Sequence, residues 1–109
     1  MATPTTIPVQ VEEEAAMRIA ELGLQGELEM ILEHAKQTMA DLRSIEVTRY
    51  DDPHEPGPPR VLITAWLNGE PSQEHPTQEK WDRWIIDTMP SKVLHWFSCN
   101  ACHWESYGR

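Results

Sequence analysis

The stretch SIEVTRYDDPHEPGPPRVLITAWL, residues 44–67, decides the fold of this chain of 109 residues. Residues 44–50 and 60–67 are rich in β-branched side chains and alternate in character, which predicts two strands. Residues 51–59 between them include four prolines, and proline cannot donate the backbone N–H that a helix or a central strand needs. Consecutive strands joined by such a loop most simply form an antiparallel hairpin, which we expect here.

The second of these strands is apolar on both faces. Such a strand is either covered on both sides or contacts another chain through one of them. We therefore predict Trp66 as an interface residue, because Trp combines a large apolar ring with an N–H that needs a partner. The two faces would carry Val61, Ile63, Ala65 and Leu67 on one side, and Leu62, Thr64 and Trp66 on the other.

Helical periodicity dominates the chain before the hairpin. Residues 11–22 and 27–42 place apolar side chains three and four positions apart, which predicts two amphipathic helices. Gly23 and Gly26 fall between them, and two glycines so close together favour a turn.

The chain after the hairpin predicts a further helix and a third strand. We expect the helix at residues 78–88, with Thr77 as its N-cap and Pro90 at its end. Residues 91–97 fit either one or two helical turns or a strand, and residues 97–107 favour a strand. The predicted fold is α+β, a two-layer sandwich in the order α-α-β-β-α-β, with helices packed on a small, mostly antiparallel three-stranded sheet.

Composition and charge narrow the class of protein. The net charge is −9 at pH 7, and nucleic-acid affinity depends on clustered Lys and Arg, so we expect no nucleic-acid binding. No apolar run is long enough to cross a membrane, and the N-terminus lacks the pattern of a secretion signal, so we expect no membrane contact and a cytoplasmic protein. We expect residues 1–10 to form a disordered leader and residues 11–109 to form a single domain.

Both cysteines lie in one motif, residues 99–103 (CNACH), with the spacing C-x-x-C-H. This spacing is typical of haem c attachment, in which Cys99 and Cys102 would bind the vinyl groups and His103 would ligate the iron. For zinc, the same three residues would supply three ligands and His95 the fourth. Haem c and zinc are therefore the alternatives to our main expectation of no cofactor.

The backbone conformation of this motif decides its chemistry. In a turn or helix, residues three apart share a face, as haem and metal require. In a strand, Cys99 and Cys102 face opposite sides with Cα atoms about 10 Å apart, beyond the ~7 Å that a disulfide spans. Because we predict a strand, Cys99 would be a small buried residue beside Phe97 and Ala101, and Cys102 would share the opposite face with Trp104.

These patterns favour a small, acidic, non-enzymatic domain that acts by protein–protein association. The sequence has no glycine-rich phosphate loop and no strained nucleophile turn, so we predict no catalytic residues. Five Trp in a small chain indicate an aromatic contact surface, which we place at Trp66 and Trp104, with a second copy of the chain as the expected partner. The alternatives are a small metal- or haem-binding protein that uses Cys99, Cys102 and His103, and an acidic inhibitor of a basic, nucleic-acid-handling partner.

Overall fold

The computed structural model describes residues 7–68, 72 and 74–104. In this part of the chain, four strands and four helices alternate as β-α-α-β-β-α-α-β, which confirms the α+β prediction. The elements are β1 Val9–Val11, α1 Glu13–Leu22, α2 Gln25–Thr38, β2 Leu42–Tyr50, β3 Arg60–Leu67, α3 Glu74–Thr88, α4 Ser91–Trp96 and β4 Phe97–His103.

The strands of the described residues form one mixed sheet in the order β1-β2-β3-β4. The expected hairpin is present, with β2 antiparallel to β3 and Val47 opposite Ile63. The two outer strands, however, run parallel to their neighbours, so the prediction of a three-stranded, mostly antiparallel sheet is wrong. Each outer strand is joined to its inner neighbour through two helices, and a connection of that length can return the chain in the same direction.

The additional strand, β1, falls largely in the predicted leader. Val9 pairs with Ile45, and the Ile45 amide donates to the Pro8 carbonyl at 3.0 Å. A strand of three residues carries too little alternation to predict from sequence, and it forms because the edge of β2 satisfies its backbone. Residues 1–6 of the predicted leader lie outside the described residues.

The helix boundaries differ from the predicted ones where tertiary pairing competes with helical periodicity. Gly23 ends α1 with a left-handed φ of 69°, as a C-terminal cap requires, whereas Gly26 lies within the first turn of α2. The second helix stops at Thr38 rather than residue 42, because Leu42 pairs with Leu67 in the sheet.

The boundaries of the C-terminal elements also differ from the predicted ones. Helix α3 begins at Glu74, so Thr77 lies inside the helix and the prediction that it is the N-cap is wrong. Pro76 is tolerated because it lies in the first turn, where a backbone N–H would have no helical acceptor. Residues 91–96 take the helical alternative, and the predicted strand is confirmed at Phe97–His103. Residues 105–107 of that predicted strand lie outside the described residues.

The helices lie on one face of the sheet. The Arg18 guanidinium of α1 lies 4.8 Å from the centre of the Trp96 ring on α4, and His34 of α2 stacks on Trp84 of α3. Alternation along β3 buries one face and leaves the other half-buried. The core between sheet and helices includes Ala15, Ile19, Ile31, Ala35, Ile45, Val47, Val61, Ile63, Ala65, Trp81 and Val93.

The opposite side of the sheet, which we call the open face, carries no helix of the described chain. Its side chains alternate with the buried ones along each strand, as the pleat of a sheet requires. They are Ser44, Glu46 and Thr48 on β2, Leu62, Thr64 and Trp66 on β3, and Ser98, Asn100 and Cys102 on β4.

Helix α3 also covers the free edge of β4. The Gln78 side-chain amide donates to the Cys99 carbonyl at 2.8 Å and accepts from the Ala101 amide. The His103 amide donates to Glu74 Oε2 at 2.8 Å. An edge strand with unpaired backbone groups is a site of aggregation, and these side chains satisfy the edge without another strand.

Replacing Gln78 tests this edge. Gln78→Ala leaves the partly buried Cys99 carbonyl and Ala101 amide without their partner, which should lower the free energy of unfolding by about 1–3 kcal/mol in urea denaturation. The matched control is Gln37→Ala on α2, whose amide bonds an exposed Glu33 carboxylate at 3.1 Å; its effect should stay within about 0.5 kcal/mol. Equal losses in the two variants would contradict the role of Gln78.

Candidate functional site

The open face carries an aromatic cluster made of Trp66, Trp104 and Arg43. The two indole rings meet edge to face, with centroids 5.6 Å apart and planes at 90°. The Arg43 guanidinium carbon lies 4.4 Å from the centre of the Trp104 ring. Such aromatic and cation–π contacts hold large side chains in defined positions at a surface. The structure thus brings together both tryptophans that the sequence predicts at an interface.

Sheet register explains why these side chains meet. Trp66 on β3 lies between Ser44 of β2 and Cys102 of β4, so the residues after Cys102 pass close to the Trp66 ring. β4 ends at His103, and Trp104 follows at the point where the chain leaves the strand, which places its ring against that of Trp66. The cluster depends on the parallel pairing of β4 with β3, which sequence alone did not predict.

Arg43 enters the cluster through an irregularity in β2. Leu42 and Ile45 are both buried although they are three residues apart, which strict alternation forbids. A register shift between Leu42 and Ser44 absorbs the additional residue, and such a bulge redirects the side chain at that point. Sequence analysis missed Arg43; the odd spacing of Leu42 and Ile45 is the signal that could have found it.

Trp66 retains an unused hydrogen-bond donor. Its ring is half-buried, and its Nε1 is inaccessible to water with no acceptor among the described residues. A buried donor without a partner costs about 1–3 kcal/mol. The remainder of the open face is largely uncharged, with Glu46 beside Thr64 and Thr64 beside Asn100 in register. The face therefore offers a mainly neutral surface around an aromatic centre.

The C-x-x-C-H motif adopts the extended backbone that the sequence predicts. Cys99 lies on the helix-covered side of β4 and Cys102 on the open face, with Cα atoms about 10 Å apart by strand geometry. His103 is buried, at 6% exposure, on the side of Cys99. His95 lies on α4 with its ring 4.6 Å from that of Trp96. The backbone therefore separates the four residues of the haem and zinc hypotheses.

No group of three or more His, Cys, Asp or Glu side chains within the described residues could hold a metal ion. A tetrahedral zinc site needs its ligands to converge on a point about 2.0–2.3 Å from each donor atom. Haem attachment likewise needs both thiols on one side of the backbone. The residues in β4 do not fit either group, because the strand directs the two thiols to opposite faces.

The environment of each thiol opposes ionisation. Burial raises the pKa of Cys99 to about 12, and the nearby Asp82 carboxylate adds to the shift. Burial also raises the pKa of Cys102, and Glu74 contributes. Because the thiolate is the nucleophile and the metal ligand, both side chains are weakly reactive at neutral pH.

Alkylation kinetics check this assignment. At pH 8, a thiol with a pKa near 12 is ionised to only on the order of one part in ten thousand, so Cys99 should react with iodoacetamide far more slowly than a free cysteine. Both side chains are partly exposed, but the Cys102 thiol lies on the open face and is desolvated less than that of Cys99, so Cys102 should react first. The Cys99→Ser variant should therefore keep most of the fast reactivity and Cys102→Ser should lose it, while both thiols react in guanidinium chloride. Fast labelling of Cys102→Ser in the folded state would contradict the burial of Cys99.

Comparisons with known proteins identify no relative of this chain. No protein-family description, curated protein or solved structure matches the chain. Among the residues that the structure describes, no helix is both long and apolar enough to cross a membrane.

Proposed function

We propose that this domain acts through protein–protein association, as a homodimer formed by the open faces of two copies. The observation that carries the proposal is the aromatic cluster, in which Trp66 and Trp104 contact each other and Arg43 stacks on Trp104. Trp and Arg are the residue types most enriched at the energetic centres of interfaces. The Trp66 ring is half-buried, so a partner would cover the apolar area that it still exposes.

The shape and polarity of the open face support a contact between two sheets. Sheets pack face to face with side chains that interdigitate at a separation of about 10 Å. Leu62, Trp66 and Cys102 are the apolar or weakly polar members of the open face, and each is half-buried in the isolated chain. Serine, threonine and asparagine surround them, and these side chains cost little to remove from water when a partner supplies hydrogen bonds.

Charge placement favours a second copy of this chain as the partner. Arg43 and Glu46 lie on the same side of β2 and carry opposite charges. A twofold dimer makes each contact twice, so Arg43 of one copy can face Glu46 of the other and the reverse. Association through this pair offsets part of the repulsion between two chains that each carry a net charge of −9.

The size of the open face sets the expected affinity. With strands about 4.8 Å apart and about 3.3 Å per residue, the face covers roughly 500 Å² in projection. Standard interfaces bury about 800 Å² on each partner. A contact of this size is weak, so we expect a dimer that dissociates in the micromolar range and exchanges rapidly.

A basic partner is the second candidate, because the net charge of −9 favours attraction to cationic surfaces. The two candidates respond to salt in opposite directions. Salt screens the repulsion between two acidic copies, so homodimerisation should strengthen from about 0.05 M to about 0.5 M salt. Binding to a basic partner should weaken over the same range. A dimer whose stability falls with salt would show instead that attraction between Arg43 and Glu46 outweighs the repulsion between the net charges.

Sedimentation equilibrium of cluster variants tests the contact. Trp104→Ala and Arg43→Glu should each weaken dimerisation by about tenfold or more, which is the loss expected for a residue at the centre of an interface. The control Arg83→Glu changes the same charge on the exposed side of α3, away from the open face, and should leave the dissociation constant unchanged. The double variant Arg43→Glu, Glu46→Arg exchanges the charges and should recover most of the affinity.

Two outcomes would contradict the proposal of a homodimer. One is a monomer at the highest concentration that the method allows, about 1 mM. The other is a dimer that Trp104→Ala and Arg83→Glu weaken equally, since this would place the contact elsewhere or assign it to net charge alone.

A further inference from the structure

A second site lies on the opposite side of the molecule, between α2 and α3. There the structure encloses a cavity of about 480 Å³, within the range of small-molecule sites in proteins. Its walls come from the end of α2, the turn before β2, the end of β3 and the first half of α3. The lining includes His34, Met39, Asp41, Leu67, Lys80 and Trp84.

Helix α3 presents one continuous face to this cavity. Thr77, Lys80, Trp81 and Trp84 all line it, and they are spaced three and four residues apart, as side chains on one side of a helix must be. Trp81 is 1% exposed, and its indole N–H has no acceptor among the described residues. The cavity thus has an aromatic wall on α3, while the Trp81 N–H itself is buried behind that wall.

His34 of α2 stacks flat on Trp84, and the two rings together form one wall of the cavity. The ring centroids are 3.9 Å apart and the planes differ by 6°. Burial lowers the pKa of His34, so its imidazole is neutral at pH 7 and stacks without a charge to solvate. Contact between α2 and α3 makes His34 part of an aromatic wall.

The charges around the cavity favour an anion. Lys80 is the cation of the lining, and no ion pair of Lys80 occurs within the described residues. Thr77 stands in the first turns of α3, where the helix dipole contributes positive potential. Asp41, the carboxylate of the lining, is exposed, as Lys80 is, so solvent screens both charges alike. Lys80 and Thr77 lie one turn apart on α3, whereas Asp41 lies in the turn before β2, so an anion can contact the two α3 side chains together.

We propose that this cavity binds a small planar aromatic carboxylate. The ring packs against the wall that His34 and Trp84 form, and the carboxylate accepts hydrogen bonds from Lys80 and Thr77. Planar rings pack well against Trp because their faces and edges carry opposite partial charge. A carboxylate is favoured over a neutral group because Lys80 would otherwise remain without a counter-ion in the described chain. This site is independent of the open face and of dimerisation.

Titration of the full chain with indole-3-carboxylate, followed by the indole N–H signals in nitrogen–proton correlation spectra, tests this proposal. The acid should bind with a dissociation constant on the order of 1 mM or below, as expected for a ligand of this size. It should shift the Trp81 and Trp84 signals and leave Trp66 and Trp104 unchanged. The neutral, nearly isosteric indole-3-carboxamide should bind about fivefold more weakly, the difference that a partly exposed ion pair provides.

Lys80→Met should remove this difference, so that acid and amide bind equally. Lys92→Met, which removes an exposed lysine from α4 outside the cavity lining, should preserve it. The proposal is overturned if neither probe binds, if the shifts occur at Trp66 and Trp104 instead, or if Lys80→Met and Lys92→Met behave alike. Because Lys80 is exposed, its replacement should not unfold the chain, and unchanged signals elsewhere in the spectrum verify this.

Discussion

The register of the β2–β3 hairpin is the constraint on which the rest of this structure depends. Val47 lies opposite Ile63 and Ile45 opposite Ala65, and all four are fully buried. A slip by one residue would turn every apolar side chain of a strand to the other face. Register therefore decides at once which face receives the helices and which face stays open, and the aromatic cluster and the helix-side cavity both follow from that choice.

The open face acquires its aromatic cluster from two departures from a simple hairpin. The bulge in β2 turns Arg43 toward the open face, and the parallel addition of β4 brings Trp104 to Trp66. Both features also serve the core, because the bulge lets Leu42 and Ile45 both be buried and β4 buries Phe97 and Ala101. A bulge leaves one residue of the strand out of the ladder hydrogen bonds and redirects the side chain at that point.

Two faces of helix α3 make different contacts. Glu74 and Gln78 bond the outer edge of β4, whereas Lys80 and Trp84 line the cavity that α3 shares with α2. The position of α3 along the sheet explains both sets of contacts. Because its side chains hold the edge strand, the helix cannot shift relative to the sheet without breaking those bonds, and the cavity wall stays in place.

The sequence by itself determined the α+β class, both hairpin strands, the break at Gly23 and the extended C-x-x-C-H segment, because each rests on local periodicity or on the conformational limits of glycine and proline. The same locality predicted that Cys99 and Cys102 face opposite sides, and that Trp66 stands on the face away from Val61. Tertiary structure alone decided the rest. Contacts between residues distant in the chain decide whether an outer strand pairs parallel or antiparallel, and whether Leu42 ends a helix or begins a strand. They also decide where Arg43 and His34 contact Trp104 and Trp84. The local sequence pattern does not encode such contacts.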